Sequence, residues 1–312
     1  MQEDSQFRAG YIAILGRPNV GKSTLMNALV GARVSIATHK PQTTRNRIVG
    51  IVTEKEVGQI AFVDTPGIHE AQGTLNRRMV RAAWEAAGQT HAALLVVDVA
   101  SLVQRPEEPL WGTDREIYAG LKESGVPIVL AINKIDNLKR REELLPALQS
   151  LADNYDFEAV VPLSARKKRN LDPLLNELFR LLPESPILYD EDLITDRPEF
   201  FTAAELIREQ VFKQIQQEVP YGVTVTVDSI SEDVKSDRLF IEAVIHVERD
   251  IYKGIIIGKG GQRLGEIGKA SRHTLQQFFG RPIHLKLFVR VQHKWTEREH
   301  DLHQFGLSEE DI

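Results

Sequence analysis

Gly16-Arg17-Pro18-Asn19-Val20-Gly21-Lys22-Ser23 carries the pattern G-x-x-x-x-G-K-[ST]. It follows an apolar run, Tyr11-Ile12-Ala13-Ile14-Leu15, and leads into a helical pattern from Thr24 to Val30. A strand, a glycine loop and a helix in that order turn a string match into a phosphate site. Glycines let successive backbone N–H groups point inward at a polyphosphate, and a helix N-terminus adds positive potential. In such a loop Lys22 reaches the outer phosphates and the Ser23 hydroxyl holds Mg2+.

What the phosphates belong to is set further along. Pro41-Gln42-Thr43-Thr44-Arg45 lies in a polar stretch, 32–46, without clear periodicity. A threonine hydroxyl there would complete the Mg2+ shell when a γ-phosphate is present, an order–disorder switch. Asp64-Thr65-Pro66-Gly67 closes an apolar run. Asp64 is placed to hold Mg2+, directly or through water, and the Gly67 N–H to approach the γ-phosphate. Ile68 stands where many switch GTPases carry a glutamine that orients the attacking water, which predicts slow intrinsic hydrolysis. Asn133-Lys134-Ile135-Asp136 selects the base. The Asp136 carboxylate accepts from the N1–H and 2-amino group of guanine; adenine lacks the 2-amino group and leaves a buried carboxylate unpaired, a difference of several kcal/mol. Lys134 lays its methylene stem along the base. After the run 158–163, Ser164-Ala165 offers the Ala165 N–H as a donor to guanine O6. The ligands expected are GTP or GDP with Mg2+.

These groups need a scaffold that brings strand ends together. Strand-like runs at 11–15, 47–53, 59–63, 91–98, 126–132 and 158–163 alternate with helical patterns near 75–87, 114–123 and 172–181. Residues 54–58 read as a hairpin connection, Gly31 as a helix stop, and the stretch with Pro106 and Pro109 as a loop. Such alternation predicts an α/β domain with a doubly wound, mostly parallel sheet, whose ligands sit at the carboxyl ends of the strands. All five groups fall there, in order. The domain is expected over 1–182, followed by an acidic, proline-rich linker over 183–200 and a second domain with a tail over 201–312.

Composition limits the partners. Of 312 residues, 39 are Lys or Arg and 44 Asp or Glu, a net charge of −5. Yet residues 251–298 hold ten Lys/Arg against only Glu266 and Glu297. A basic region on an acidic protein points at a polyanion. There are 0 cysteines, in keeping with a reducing cytosol and against a thiolate metal site. The N-terminus lacks the basic start and apolar core of a signal peptide, and no apolar run nears the roughly 20 residues of a membrane span. The histidines show no metal-binding spacing.

In the second domain an amphipathic helix over 202–217 precedes alternating strands over 223–227 and 239–247. Then come Tyr252-Lys253-Gly254-Ile255-Ile256-Ile257, the loop Gly258-Lys259-Gly260-Gly261, a helix from Gln262 towards Phe279 and a strand over 283–291. A G-x-x-G loop between helices is the element by which KH domains clamp about four unpaired nucleotides. The order resembles the bacterial, type II form of that α+β module. Lys253, Gly254, Ile257, the four loop residues and Arg263 are the expected RNA contacts, with Ile255-Ile256-Ile257 lining a groove for bases. Single-stranded RNA is the expected ligand, not DNA.

Together, the phosphate loop, Gln42-Thr43-Thr44-Arg45, Asp64-Thr65-Pro66-Gly67-Ile68-His69, Asn133-Lys134-Ile135-Asp136 and Ser164-Ala165, followed by a KH module, resemble the Era family of GTPases along nearly the whole chain. Glu218-Val219-Pro220-Tyr221 and 189–198 match that family almost residue for residue. The resemblance implies a cytoplasmic, monomeric GTPase of small (30S) ribosomal subunit assembly that takes the 3′ end of 16S rRNA. It also implies loose, peripheral association with the cytoplasmic membrane. It favours Thr44 over Thr43 on Mg2+, and through Asn19 it implies a K+ ion that lends charge to the transition state. The sequence departs from the family at Glu70-Ala71-Gln72-Gly73, which lacks the usual lysines, and over 101–112, which is long. Two rival readings are an RNA-binding protein with a structural nucleotide site, and a GTPase of tRNA modification or membrane transport.

Overall fold

The structure, a computed structural model, describes residues 7–38, 44–65, 67, 81, 83–85, 87–215, 219–233 and 237–307. The chain folds as two compact units that meet in sequence between Asp196 and Arg197.

In the first unit, β1 (Arg8–Leu15), β2 (Ile48–Glu54), β3 (Gly58–Asp64), β4 (Ala92–Asp98), β5 (Ile128–Asn133) and β6 (Ala159–Pro162) form one sheet in the order β2-β3-β1-β4-β5-β6. Only the β2–β3 hairpin is antiparallel. β3 and β5 are buried at every residue, as strands covered on both faces must be. The order reverses between β1 and β4, so a crevice opens at their carboxyl ends. α1 (Lys22–Val30) follows β1 and stops at Gly31, whose φ of 79° caps it. α2 (Val99–Gln104), α3 (Thr113–Ser124), α4 (Leu145–Asn154) and α5 (Leu171–Leu181) complete the unit. Of the helix expected over 75–87, the described residues from Arg81 onward are helical.

Two expectations need correction here. The stretch read as a loop from Ser101 begins inside α2, which Asp98 caps by accepting from Ala100 N–H at 3.0 Å. The apolar residues Val99 and Leu102 are buried one turn apart, and that spacing carries the helix into the core. The acidic, proline-rich stretch is also no free linker over its first part. Ser185 N–H donates to Phe7 O at 3.1 Å, and Ile51 N–H to Ile194 O at 3.0 Å. Between them the fully buried Gln59 amide accepts from Leu188 and Tyr189 N–H and donates to Tyr189 O. Backbone groups beside a sheet edge find partners when a chain runs close by.

The second unit packs α6 (Glu199–Gln214), α7 (Asp250–Ile257) and α8 (Gln262–Phe279) with a sheet of order β7-β8-β9: β7 (Val223–Asp233), β8 (Arg238–Val247) and β9 (Ile283–Val291). β7–β8 is antiparallel, with a bulge between Val227 and Ser229, and β8–β9 is parallel. α6 starts at Glu199, inside the stretch expected as linker. α9 (Glu299–Gln304) follows fully buried Trp295, whose Nε1–H donates to Gly222 O at 3.1 Å. Among the described residues no helix is long and apolar enough to cross a membrane.

His246 on β8 is 3% exposed, faces Arg290 across the parallel ladder and shares a 2.9 Å hydrogen bond with Thr226. Burial, then the Arg290 charge, lowers its pKa to about 4. The folded chain therefore keeps His246 neutral while the unfolded chain protonates it below about pH 6.5. Its contribution is complete above pH 6.5 and is lost as pH falls towards 4, on the order of 2 kcal/mol. Urea unfolding of the wild type between pH 7 and 4.5 is expected to show that loss, and His246→Gln to flatten it; identical slopes would contradict the assignment.

Candidate nucleotide and RNA sites

β1 delivers the phosphate loop into the crevice. Gly21 has φ 104°, and a Cβ on it would overlap the Asn133 carboxamide, so the position accepts only glycine. Leu25 N–H to Gly21 O, at 2.8 Å, is the first helical hydrogen bond of α1. The N–H groups of Lys22, Ser23 and Thr24 precede it and open onto the loop. Buried Lys22 donates from Nζ to Gly16 O at 3.0 Å and Arg17 O at 3.2 Å, which curls the loop around its ammonium. Val20 is buried and Asn19 exposed at the rim, its φ of 66° left-handed. Gly67 comes against Pro18, within 3.0 Å of Pro18 N for an added Cβ.

The three residues expected around a metal are brought together. Ser23 Oγ and Thr44 Oγ1 lie 3.0 Å apart, and Thr44 Oγ1 lies 3.5 Å from Asp64 Oδ2. Asp64 is fully buried, and its Oδ1 has no hydrogen-bond partner among the described residues. Burial raises its pKa, against the pull of Lys22 and of the Ser35, Ser23 and Thr44 hydroxyls. A buried, orphaned carboxylate oxygen beside two hydroxyls is an all-oxygen donor set that suits Mg2+, which binds through one carboxylate and substrate phosphates. Among the described residues no cluster of three or more His, Cys, Asp or Glu side chains is placed to hold a metal ion. Thr65 contributes differently: its hydroxyl donates to Ile14 O at 2.8 Å, tying the turn to β1. Gln42, Thr43, Pro66, Ile68 and His69 lie outside the described residues.

Asn133 ends β5 and holds three segments. Its Nδ2 donates to Val20 O at 2.9 Å, and its Oδ1 accepts from Lys134 N–H at 2.8 Å and Ala165 N–H at 3.0 Å. Ala165 N–H, expected as a donor to guanine O6, donates in this structure to the Asn133 carboxamide oxygen, a bond that O6 would share or replace. Ser164, fully buried, donates to Asp136 Oδ1 at 2.5 Å and so fixes the carboxylate that would read the base. Lys134 Nζ donates to Asn19 O at 2.6 Å.

Several contributors lie outside the sequence motifs. Ser35 Oγ donates to Asp64 Oδ2 at 2.9 Å, and Asn27 of α1 holds the backbone there, donating to Ser35 O and accepting from Val34 and Ser35 N–H. Asp114 on α3 is fully buried and pairs with Arg17 of the phosphate loop at 2.8 Å, while the Arg17 guanidinium lies 5.6 Å from the Trp111 ring centre. Asp98 pairs with Lys134 at 2.7 Å. Asp98 could have been found by the strand-end rule that picks out Asp64; Ser35 and Asp114 carry no local signal.

In the second unit Gly258–Gly261 forms a tight turn between α7 and α8, with Gly258, Gly260 and Gly261 at φ 70°, 60° and 80°. Lys259 and Gly260 are exposed, as is Gly254, while Lys253 and Ile257 are half-buried. Arg263 donates to Ile255 O at 2.9 Å and staples the end of α7. The apolar groove is narrower than expected, because Ile256 is fully buried in the core of the unit and only its neighbours can reach a base. The basic region divides in space. Arg281 pairs with Glu232 and Asp237, Lys286 with Glu242, and Arg298 with Asp301. Lys253, Lys259, Lys269 and Arg272, on the loop and its helices, make no ion pair among the described residues. That side is where an RNA backbone is best met.

Comparison with known proteins bears on both units. Residues 11–134 match the family model described as 50S ribosome-binding GTPase, and residues 218–296 match the KH domain. GTPase Era of Stenotrophomonas maltophilia (strain K279a) is 45% identical, covering 98% of this chain and 99% of that protein. GTPase Era of Syntrophus aciditrophicus (strain SB) is 45% identical over 97% of this chain and 96% of its own length. Among solved structures, a point variant of Aquifex aeolicus Era bound to GDP.AlF4− superimposes with a TM-score of 0.90 at 37% identity, covering 97% of this chain and 100% of that one. Era in complex with MgGDPNP and nucleotides 1506–1542 of 16S ribosomal RNA gives 0.90 and 37%, over 97% and 99%.

Burial lowers the Lys22 pKa to about 8, against Asp64 and Asp114, which raise it. A polyphosphate needs the charged form, so nucleotide affinity is expected to stay level from pH 7 to about 8 and to fall above it. Calorimetric titration with GDP from pH 7 to 9.5 checks this; Lys22→Ala is expected to bind weakly and without that bend.

Proposed function

The chain belongs to the Era family of GTPases, and we propose that it is a nucleotide-switched factor that binds the 3′ end of 16S rRNA during assembly of the 30S subunit. The observation that carries this reading is the pairing, in one chain, of a nucleotide site with a G-x-x-G turn flanked by cations that make no ion pair among the described residues. A relative that matches over 97% of this chain was solved with MgGDPNP and a 16S rRNA fragment. The rival of an RNA-binding protein with an inert nucleotide site is disfavoured by a relative bound to GDP.AlF4−, a mimic of the hydrolytic transition state.

In this reading water attacks the γ-phosphorus of GTP, the bond to the β-phosphate oxygen breaks, and GDP and phosphate leave. Lys22 meets the β- and γ-phosphates, the loop N–H groups surround them, and Gly67 brings an N–H close to the γ-phosphate. Ser23, Thr44 and Asp64 would hold Mg2+, which offsets phosphate charge when bound. Asp136, held by Ser164, accepts from guanine, and Asn133 and Lys134 keep that site in register with the phosphate loop. With Ile68 in place of a water-orienting glutamine, intrinsic turnover is slow. Asn19 at the loop rim is the residue that would accompany a K+ ion. The protein is monomeric and cytoplasmic, with peripheral contact at the cytoplasmic face of the membrane.

Replacing Lys259 and Gly260 together by Asp is expected to lower affinity for a 16S 3′-end oligonucleotide by about 30-fold or more, because the turn then repels the backbone it should clamp. GTP hydrolysis without RNA is expected to be unchanged. Retained RNA affinity in filter binding would overturn the RNA assignment. Turnover in KCl is expected to exceed that in NaCl by about tenfold, the effect of one added positive charge at the transition state; equal rates would remove K+ from the account.

A further inference from the structure

Asp98 belongs to none of the nucleotide motifs, yet it ends β4 beside the crevice and stands opposite Asn133 in the parallel ladder. Its carboxylate is locked. Oδ1 accepts from Ala100 N–H at 3.0 Å as the cap of α2, and its carbonyl accepts from Ser101 Oγ at 2.7 Å. The other carboxylate oxygen, Oδ2, accepts from Lys134 Nζ at 2.7 Å. Lys134 has a left-handed backbone, φ 65°, and its Cε passes within 4.0 Å of where a Gly21 Cβ would stand. Its ammonium is thus gripped from two sides, by Asn19 O at 2.6 Å and by Asp98. A lysine side chain has four flexible carbons, and ordering them only when the base arrives would weaken binding.

We propose that Asp98 is a positioning residue for base recognition, acting through Lys134, which it holds extended across Gly21 so that guanine docks on a stem already in place. This rests on the guanine reading of the site. It also gives the segment between β4 and α3 a part in nucleotide retention, since the residue that caps α2 grips the base-motif lysine. The ion pair is about a quarter to a third exposed, 24% for Asp98 and 32% for Lys134, so its effect is moderate.

The test is release of a fluorescent GDP from the full chain, followed by stopped flow. Asp98→Asn and Asp98→Ser both keep a side-chain acceptor for the cap and remove the charge. Each is expected to release GDP about 5-fold faster with an unchanged unfolding midpoint, and to raise KM for GTP with kcat unchanged. In a Lys134→Met background neither is expected to accelerate release further. Unchanged release in both single variants, or full acceleration without Lys134, would overturn the proposal while leaving the guanine site standing. If Lys134→Met itself releases GDP at the wild-type rate, the reading of Lys134 fails and Asp98 falls with it.

Discussion

One side chain sets the frame for the nucleotide site. Asn133 is 2% exposed and spends its carboxamide on Val20 O, Lys134 N–H and Ala165 N–H, three groups from three segments. Each such bond contributes about 1 kcal/mol, but losing the carboxamide would strand buried partners at higher cost. The consequence is geometric. The loop that meets phosphates and the motif that reads the base are joined by a hydrogen bond rather than positioned separately. Gly21 is a glycine because the carboxamide lies where a Cβ would be. Lys134 then reaches Asn19 O and Asp98 from a backbone that Asn133 has fixed.

Around that frame the molecule keeps costly charges in place. Lys22, Asp64 and Asp114 are buried together, and burial opposes the charged form of each. The Asp64 oxygen without a hydrogen-bond partner among the described residues and the lowered Lys22 pKa are the marks of a site suited to a cation and an anion. A chain selected for stability alone would not bury them so. The second unit uses charge differently. Arg281, Lys286 and Arg298 are paired with Glu232, Asp237, Glu242 and Asp301, whereas the cations of the G-x-x-G loop and its helices make no ion pair among the described residues.

Much of this is legible in the sequence because the chemistry is local. A phosphate loop, a strand-end carboxylate and a base motif are short strings whose context, strand then loop then helix, is also short. Ser23, Thr44 and Asp64 can be assigned to one metal although 41 residues separate the first from the last, since strand-end placement supplies the geometry. What cannot be read depends on distant partners. Asp114 looks like an ordinary first-turn acid until Arg17, 97 residues away, is seen against it. Ser35 sits in a stretch without periodicity, placed by Asn27. The run 183–196 has a linker's composition, and only its bonds to Phe7, Ile51 and the buried Gln59 amide reveal the docking. Counting charges along 251–298 overstates the free cations, because the compensating acids come from β7, β8, the turn between them and α9. Ile256 does not belong to the groove, because three consecutive isoleucines on a helix cannot all face one side.

The claim that phosphate and base recognition share one frame is tested most directly with a ligand that has no base. Calorimetric titration of Mg-tripolyphosphate into the wild type and Asn133→Ala, beside GDP, separates the two roles. If the carboxamide holds the phosphate loop through Val20 O, the variant loses affinity for both ligands, about tenfold or more for tripolyphosphate. If Asn133 serves the base alone, GDP binding weakens while tripolyphosphate binds as in the wild type, and the shared frame is wrong.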